Sequence, residues 1–519
     1  MVTQDQREVV AFLSRPATHG QECARVETLE THSAVVFLAG TRALKLKRAV
    51  RYDYLDFSTV ARRRQFCEAE VAINRRTAPG LYRGVAVVTR DPLGTLTLDG
   101  NGTPVEWLVD MTRFDTDALA DRLAERHALG LPTMLELGRA VARMHASAPS
   151  CRSTRGGANA IGWVIEGNTT SLASFGERVF PAATLGALTA RSTAALDRAA
   201  ALLDVRAGQG RVRQCHGDLH LRNIVMLDGR PTPFDAVEFN DDIACIDVWY
   251  DVAFLLMDLW RRGLTRHANV VMNEYVRATG DVEGLALLPL FLGLRAAVRA
   301  KTSATTATLD DQLETRLAHV TEAQGYLDLA LTLLQPRSPA LVAIGGYSGS
   351  GKSTQAATIA PALGAAPGAL HLRSDVIRKD LFGVSALQPL PAVAYAPEVN
   401  ARVYARMREL AAAALSAHHA VVCDGVYADA GERAAVTAVG RAAGVPVATV
   451  WLHAPDATLL SRVRARRHDA SDATADVVRQ QLGHLTAPDD WAQLAATGPV
   501  ESTCAMVRAA IVAQGIGVE

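Results

Sequence analysis

The chain has 519 residues, 49% of them apolar, and its 54 basic and 54 acidic side chains leave no formal net charge. That length is too great for one ordinary core and predicts roughly three domains or lobes. The neutral balance supplies no global field toward nucleic acid or an anionic membrane surface.

The seven cysteines (Cys23, Cys67, Cys151, Cys215, Cys245, Cys423 and Cys504) are scattered without C-x-x-C pairs. This argues against a metal knuckle or disulfide framework and predicts buried small hydrophobes in a reducing compartment. Residues 1–16 mix charged and apolar side chains without a signal-peptide core, and the most apolar stretch, 284–294, is too short to span a bilayer. A cytoplasmic protein with no membrane partner is expected.

In chain order, 26–46 is rich in Val, Thr and Phe with a turn at Gly40-Thr41, which predicts antiparallel strands, and 61–75 reads as a helix. Leu135, Leu137, Val141, Ala142 and Met144 recur at helical spacing and open a mainly helical lobe that continues through 248–260 and 285–301. Two prolines in Gln335-Pro336-Arg337-Ser338-Pro339 interrupt the next helical pattern and mark a seam. Beyond it, strands expected at 341–345, 370–374, 420–423 and 447–452 alternate with helical segments, the pattern of a parallel sheet covered on both faces.

Two motifs carry chemistry. The first, His216-Gly217-Asp218-Leu219-His220-Leu221-Arg222-Asn223, fits H-x-D-x-x-x-x-N, with Gly where protein kinases carry Arg, and Asp235 follows in Pro233-Phe234-Asp235. Phosphoryl transfer accounts for the spacing. Asp218 takes or orients the proton of the attacking hydroxyl, while Asn223 and Asp235 hold magnesium against ATP phosphates with hard oxygen ligands.

This segment resembles the aminoglycoside phosphotransferase and choline kinase branch of the kinase-like fold, where H-G-D is the usual form of the loop, and the resemblance covers most of 26–334. It implies that Lys45, in Ala43-Leu44-Lys45-Leu46-Lys47, holds the alpha and beta phosphates, with Glu70, or its rival Glu68, as ion-pair partner. It also implies an adenine-contacting strand around 105–111. His216 reads as a structural hydrogen-bonding residue, and Asp247 and Asp251 as caps or braces. Arg295, Arg299 and Lys301, on the expected substrate side, disfavour a polycationic sugar; an anionic-substrate pocket and a solvated helix face both stay open.

The second motif, Gly346-Tyr347-Ser348-Gly349-Ser350-Gly351-Lys352-Ser353, matches G-x-x-x-x-G-K-[ST] directly after the apolar run Leu341-Val342-Ala343-Ile344. Backbone N–H groups at the start of the following helix can cradle phosphates. Lys352 then reaches the beta and gamma phosphates, Ser353 ligates magnesium, and Thr354 completes the nucleotide-binding set. A motor ATPase strand would end in Asp-Glu. Here Val421-Val422-Cys423-Asp424 runs into Gly425, which weakens that reading and leaves Asp424 as a metal ligand.

Asp375-Val376-Ile377-Arg378, with Arg462, Arg466 and Arg467 later in the chain, resembles P-loop kinases of the polynucleotide kinase, gluconate kinase and zeta-toxin group over 341–485. The resemblance implies that Asp375 is the base, that Arg378 acts on the acceptor, and that the later arginines belong to a phosphate-clamping lid.

The expected fold is an α+β kinase-like bilobal domain over 1–335, its β-rich lobe at about 1–110 and its helical lobe at about 111–335, followed by an α/β P-loop domain with a parallel sheet over 340–519. The layout resembles a bacterial two-domain family and implies an ATP- and magnesium-dependent phosphotransferase with two sites for small-molecule hydroxyl acceptors. Two alternatives are an ATP-binding regulatory or stress protein with one catalytic domain, and a nucleic-acid end kinase. The latter is weakened by neutral charge and by the lack of a basic run with interleaved aromatics.

Overall fold

Strict alternation along Arg42–Lys47 sends Leu44 and Leu46 to one face of an antiparallel sheet and Lys45 and Lys47 to the other. In this computed structural model, which describes residues 3–20, 23–52, 55–151, 157–467 and 469–518, that sheet has six strands. Their order is Val26–Glu30, Ala34–Ala39, Arg42–Lys47, Thr103–Thr112, Tyr82–Arg90, Leu96–Leu98. Gly40, at φ +57°, makes the expected turn between the second and third strands.

The Leu44 face joins Leu13, Phe37, Val88 and Leu108 in an apolar core. The lysine face is covered by the helix Val60–Asn74, whose buried stripe of Arg63, Cys67, Glu70, Val71 and Asn74 follows helical spacing. Three of those five are polar, so their burial requires partners. Arg63 finds one in the Glu106 carboxylate, 2.8 Å away, with neither side chain exposed.

The described residues group into two compact units. The first comprises Met1–Val164 and Ala200–Asp258, and the second Ile165–Ala199 and Leu259–Glu519. Helices Leu131–Ser147 and Val248–Arg261 match the expected helical pattern. The helix expected over 285–301 begins at Leu288 and runs to Leu309, after a 3-10 turn at Glu283–Leu287. Its Arg295 is buried and Arg299 lies 5.5 Å from the Tyr326 ring, so neither belongs to a freely solvated face.

In the second unit, five parallel strands run in the order Leu370–Arg373, Val421–Asp424, Leu341–Gly346, Val447–His453, Ala492–Ala495. The last strand was not foreseen, because Ala-Gln-Leu-Ala carries almost no β-branched or aromatic signal. Helices Lys352–Ile359 and Val500–Ala513 pack with Val342, Ile344, Val450 and Leu452 on one face. Aromatic rings of Tyr347, Trp451, Trp491, Tyr427 and Tyr404 contact one another in series, with centroids 5.2 to 6.5 Å apart. No described helix is long and apolar enough to cross a membrane.

One cysteine expectation is overturned. Cys151 and Cys245 form a disulfide with Cα atoms 5.8 Å apart, although 94 residues separate them. Antiparallel pairing of Val212–Gln214 with Cys245–Asp247, and of Ser150 with Arg213, brings the two together. Such contact is invisible to sequence spacing. Cys67, Cys215, Cys423 and Cys504 are buried as free thiols.

The loop before the edge strand Leu370–Arg373 is held by His419, which is buried and bonds the Gly368 carbonyl at 2.9 Å. Burial pushes this imidazole from 6.5 down to about 4, against the opposing pull of that carbonyl. The unfolded chain therefore takes up the proton first as pH falls, and the stability supplied by neutral His419, whole above pH 6.5, declines toward pH 4. Between pH 7 and 5 the loss should be about 2 kcal/mol. Urea unfolding at the two pH values should show a shallower dependence in His419→Gln, and equal slopes would contradict the assignment.

Candidate active sites

In the first unit, Lys45 reaches from the sheet to two carboxylates, Glu70 at 2.8 Å and Asp235 at 2.6 Å. Lys47, two residues on and so on the same face, meets Glu70 at 2.5 Å and also pairs with Glu238. The result is a continuous chain, Glu238–Lys47–Glu70–Lys45–Asp235, in which only Asp235 is substantially exposed. Glu68, the rival of Glu70, instead pairs with Arg64 on the helix surface.

Electrostatics follow from this geometry. Burial alone would strip protons from both lysines, but Asp235, Glu70 and Glu238 outweigh it and hold the ammonium groups above their ordinary range. Burial pushes Glu70 up, yet the two ammonium groups win and bring it down to about 2. Two cations face three carboxylates. Glu238, buried and close to the charge of Glu70, is the one held above its ordinary value.

Asp235 has φ +61°, a conformation that Asp tolerates better than most residues. The turn is fixed by two bonds: Asp235 N donates to the Tyr82 hydroxyl at 3.0 Å and Ala236 N to Asn74 Oδ1 at 2.8 Å. Asp218 lies on the same loop system, its carboxylate accepting from Asn223 Nδ2 at 2.9 Å and lying 3.3 Å from His220 Nε2. Because the Asn223 amide nitrogen also donates to the Asp218 carbonyl, the amide oxygen is left as an acceptor. That oxygen and the Asp235 carboxylate are both hard donors of the kind magnesium takes.

His216 is structural in geometry. Its Nε2 bonds the Phe234 carbonyl at 2.8 Å and its Nδ1 accepts from Asp218 N at 3.3 Å, which assigns the neutral tautomer, and burial lowers its basicity accordingly. Asp251 braces the loop from beneath, accepting from His216 N and Gly217 N. Its neighbours His145 and Cys215 bring three ligand-type atoms within 4.8 Å, but His145 Nε2 is 3.0 Å from the same carboxylate. These contacts describe a hydrogen-bonded brace. Asp247 pairs with Arg206 at 2.8 Å and accepts from Trp249 N.

In the second unit, a cavity of about 300 Å³ opens over the Gly-rich loop. Residues 349–354 line it together with Asp375, Arg462, Arg466, Gly498, Val500 and Thr503. The loop needs its glycines. A Cβ on Gly346 would come within 2.3 Å of the Leu452 carbonyl, and Gly351 turns at φ +89° into the helix Lys352–Ile359. Ser348 N donates to Gln481 Oε1 at 2.8 Å, from the helix Ala475–His484.

Several polar atoms here are poorly partnered among the described residues. Among the described residues, the one hydrogen-bond partner of Lys352 Nζ is the Tyr347 carbonyl at 3.5 Å, and burial lowers its pKa against the pull of Asp424 and Asp375. Among the described residues, Ser350 Oγ and Arg466 Nη1 are buried with no hydrogen-bond partner, while Arg466 Nε lies 3.7 Å from Asp469 Oδ2. Orphaned donors beside a cavity fit the oxygens of a polyphosphate. Asp424 is fully buried, with His371 Nε2 at 3.3 Å and Arg373 Nε at 3.7 Å. Burial raises its pKa, but these partners and Lys352 bring it below the ordinary value. With Ser353 it supplies hard oxygen donors suited to magnesium.

Arg462 Nη1 lies 3.5 Å from the Gly349 carbonyl. Arg378 is held away from the cavity wall, donating to the Ala394 carbonyl and Asn400 Oδ1 at 2.7 Å each, with its guanidinium 4.8 Å from the Tyr395 ring centre.

Sequence reading missed Lys47, Glu238, His220 and Tyr82 in the first site, and His371, Arg373, Asp469 and Gln481 in the second. Alternation along Arg42–Lys47 could have flagged Lys47. The others are drawn in from separate segments and carry no local signal. Removing only Lys47 from its buried chain should be costly, since it strands the Glu238 carboxylate and leaves Glu70 with Lys45 alone. Lys47→Met is expected to destabilise the first unit by roughly 3–5 kcal/mol, read from denaturant unfolding, and a loss below about 1 kcal/mol would argue against the chain.

Residues 67–287 match the family model of the phosphotransferase enzyme family, and residues 341–488 match the model of an AAA domain. An uncharacterized protein of Mycobacterium tuberculosis is 27% identical over 485 residues, covering 92% of this chain and 93% of that protein. One of Mycobacterium bovis matches to the same extent. Among solved structures, a choline/ethanolamine kinase family protein from Mesorhizobium loti is 12% identical, with TM-score 0.36 over 63% of this chain and 98% of its own. A gluconokinase from Sinorhizobium meliloti 1021 is 22% identical, with TM-score 0.26 over 34% and 94%. Residues 67–287 are thus similar to the phosphotransferase enzyme family, and residues 341–488 to an AAA domain.

Proposed function

We propose that the protein is a bifunctional ATP- and magnesium-dependent phosphotransferase acting on small-molecule hydroxyl acceptors, with enzymatic domains at 1–335 and 340–519. The observation that carries this reading is the convergence of Asp218, Asn223, Asp235, Lys45 and Glu70 from four separate segments, with Lys45 poised between two carboxylates. Supporting it is the second set, the orphaned donors and Asp375 around the Gly-rich loop.

In the first site, Lys45 would exchange its contact with Asp235 for phosphate oxygens, while Glu70 keeps it oriented. Asp218, its carboxylate aimed by Asn223 and His220, would take the proton of the acceptor hydroxyl. In the second, Lys352 and Arg466 would meet phosphate oxygens and Asp375 would orient the acceptor. Asn223 with Asp235, and Ser353 with Asp424, would hold magnesium, which neutralises charge on the phosphates.

The test is a metabolite-library screen for phosphoryl transfer with wild type and one knockout per site. Asp218→Asn should lower first-site transfer on the order of a hundred- to ten-thousand-fold with ATP affinity retained, because it removes a base and no phosphate contact. Retention of more than about half the rate would sink the assignment. Asp235→Ala should instead weaken magnesium-dependent ATP binding, measured by calorimetry across a magnesium titration. Lys352→Ala should reduce binding of a non-hydrolysable ATP analogue from two sites per chain to one. A single site in wild type that vanishes in this variant would mean the first domain binds no nucleotide.

A further inference from the structure

Parallel pairing satisfies only one side of the edge strand Leu370–Arg373. Leu370 N donates inward to the Ala420 carbonyl, whereas the Ala369 carbonyl and His371 N face outward, where a free edge would leave them to water or to a foreign strand. Here they are taken by side chains of the helix Thr265–Thr279, which lies on the N-terminal side of the seam at 335–339 and belongs to the same compact unit. Asn269 Nδ2 donates to the carbonyls of Pro367 and Ala369 at 3.1 and 3.0 Å. Asn273 Oδ1 accepts from His371 N at 2.6 Å, and its Nδ2 donates back to Asn269 Oδ1 at 3.1 Å.

One turn further along the same face, Arg277 grips Asp380, with Nη2 2.8 Å from Oδ1 and Nε 3.1 Å from the same oxygen. Asp380 lies on the helix Ser374–Leu381, the element that begins at the end of the edge strand and carries Asp375 and Arg378. Residues 269, 273 and 277 recur every four positions, so a single helix face holds both the strand leading to Asp375 and the helix bearing it. Asn269 is buried, and an amide in that position is retained only where its bonds are met.

We infer that Asn269, Asn273 and Arg277 are positioning residues for the acceptor side of the P-loop site, so that this site depends on a helix outside the P-loop segment itself. The inference rests on the reading of Asp375 as the group that orients the acceptor. The nucleotide side has its own supports in the Gly-rich loop and in Gln481, so loss of the asparagine face should affect turnover and spare nucleotide affinity.

The experiment uses the full chain in an Asp218→Asn background, with MgATP as probe and water as acceptor. In Asn269→Ala/Asn273→Ala, kcat for ATP hydrolysis should fall about tenfold with KM for ATP within about twofold. Amide exchange over 369–381 should quicken about tenfold, while 341–346 stays protected. Arg277→Ala, a change at a partly exposed position, should move the same readouts in the same direction should the double variant fold poorly, and Arg277→Lys should restore most of the rate. Unchanged exchange over 369–381, or a uniform loss of protection with weakened ATP binding, would overturn the inference. Asp375→Asn separates the two ideas. If it leaves hydrolysis intact, the reading of Asp375 falls, and exchange over 369–381 still decides whether the helix is the support.

Discussion

Charges removed from water must be paired, and in the first unit that single requirement ties the architecture together. A sheet strand supplies Lys45 and Lys47, a helix supplies Glu70, and the loop after the strand Arg230–Pro233 supplies Asp235 and Glu238. None of these groups could be buried by itself without a penalty of several kcal/mol. The chain of pairs therefore acts as a constraint on where the helix can dock and on how the Asp235 loop can turn. Asp235, at its exposed end, is the member best placed to exchange partners.

The second unit reaches a similar outcome through backbone geometry. The strands ending at Gly346, Arg373 and Asp424 are parallel and in register, so their C-terminal ends share one rim. Ligands of open parallel sheets gather at such rims because the loops leaving the strands converge there. The Gly-rich loop, Asp375 and Asp424 arrive there by topology. Arg373 and His371 then compensate Asp424 from the neighbouring strand. Among the described residues, Lys352 Nζ keeps one distant carbonyl and Ser350 Oγ and Arg466 Nη1 have no hydrogen-bond partner, and unmet donors of this kind are tolerated where a ligand completes them.

Much of this was legible from residue order, for identifiable reasons. The hairpin at Gly40, the helix Val60–Asn74 and the four principal parallel strands were expected because their patterns are local: alternation, helical recurrence and apolar runs. The H-x-D-x-x-x-x-N and G-x-x-x-x-G-K-S motifs announced themselves because phosphate chemistry demands several residue types within one short loop. The strand Ala492–Ala495 escaped notice because its place is set by pairing with Val447–His453 and not by its own residues. The Cys151–Cys245 disulfide escaped for the same reason, being made by strand pairing across 94 residues.

Sequence alone marked most of the elements and, by motif spacing, Asp218, Asn223, Asp235 and Lys352 as candidates, with Lys45 added by a family resemblance. Tertiary structure decided the partners. It selected Glu70 over Glu68 by turning one toward the sheet and the other toward solvent, and added Lys47 and Glu238 to the charge chain. It also committed Arg378 to Ala394 and Asn400 and set Asn269 and Asn273 against the edge strand. The division is physical. Covalent order dictates what can lie within a few residues, whereas burial and hydrogen-bond satisfaction across distant segments emerge only when the whole chain competes for the same interior.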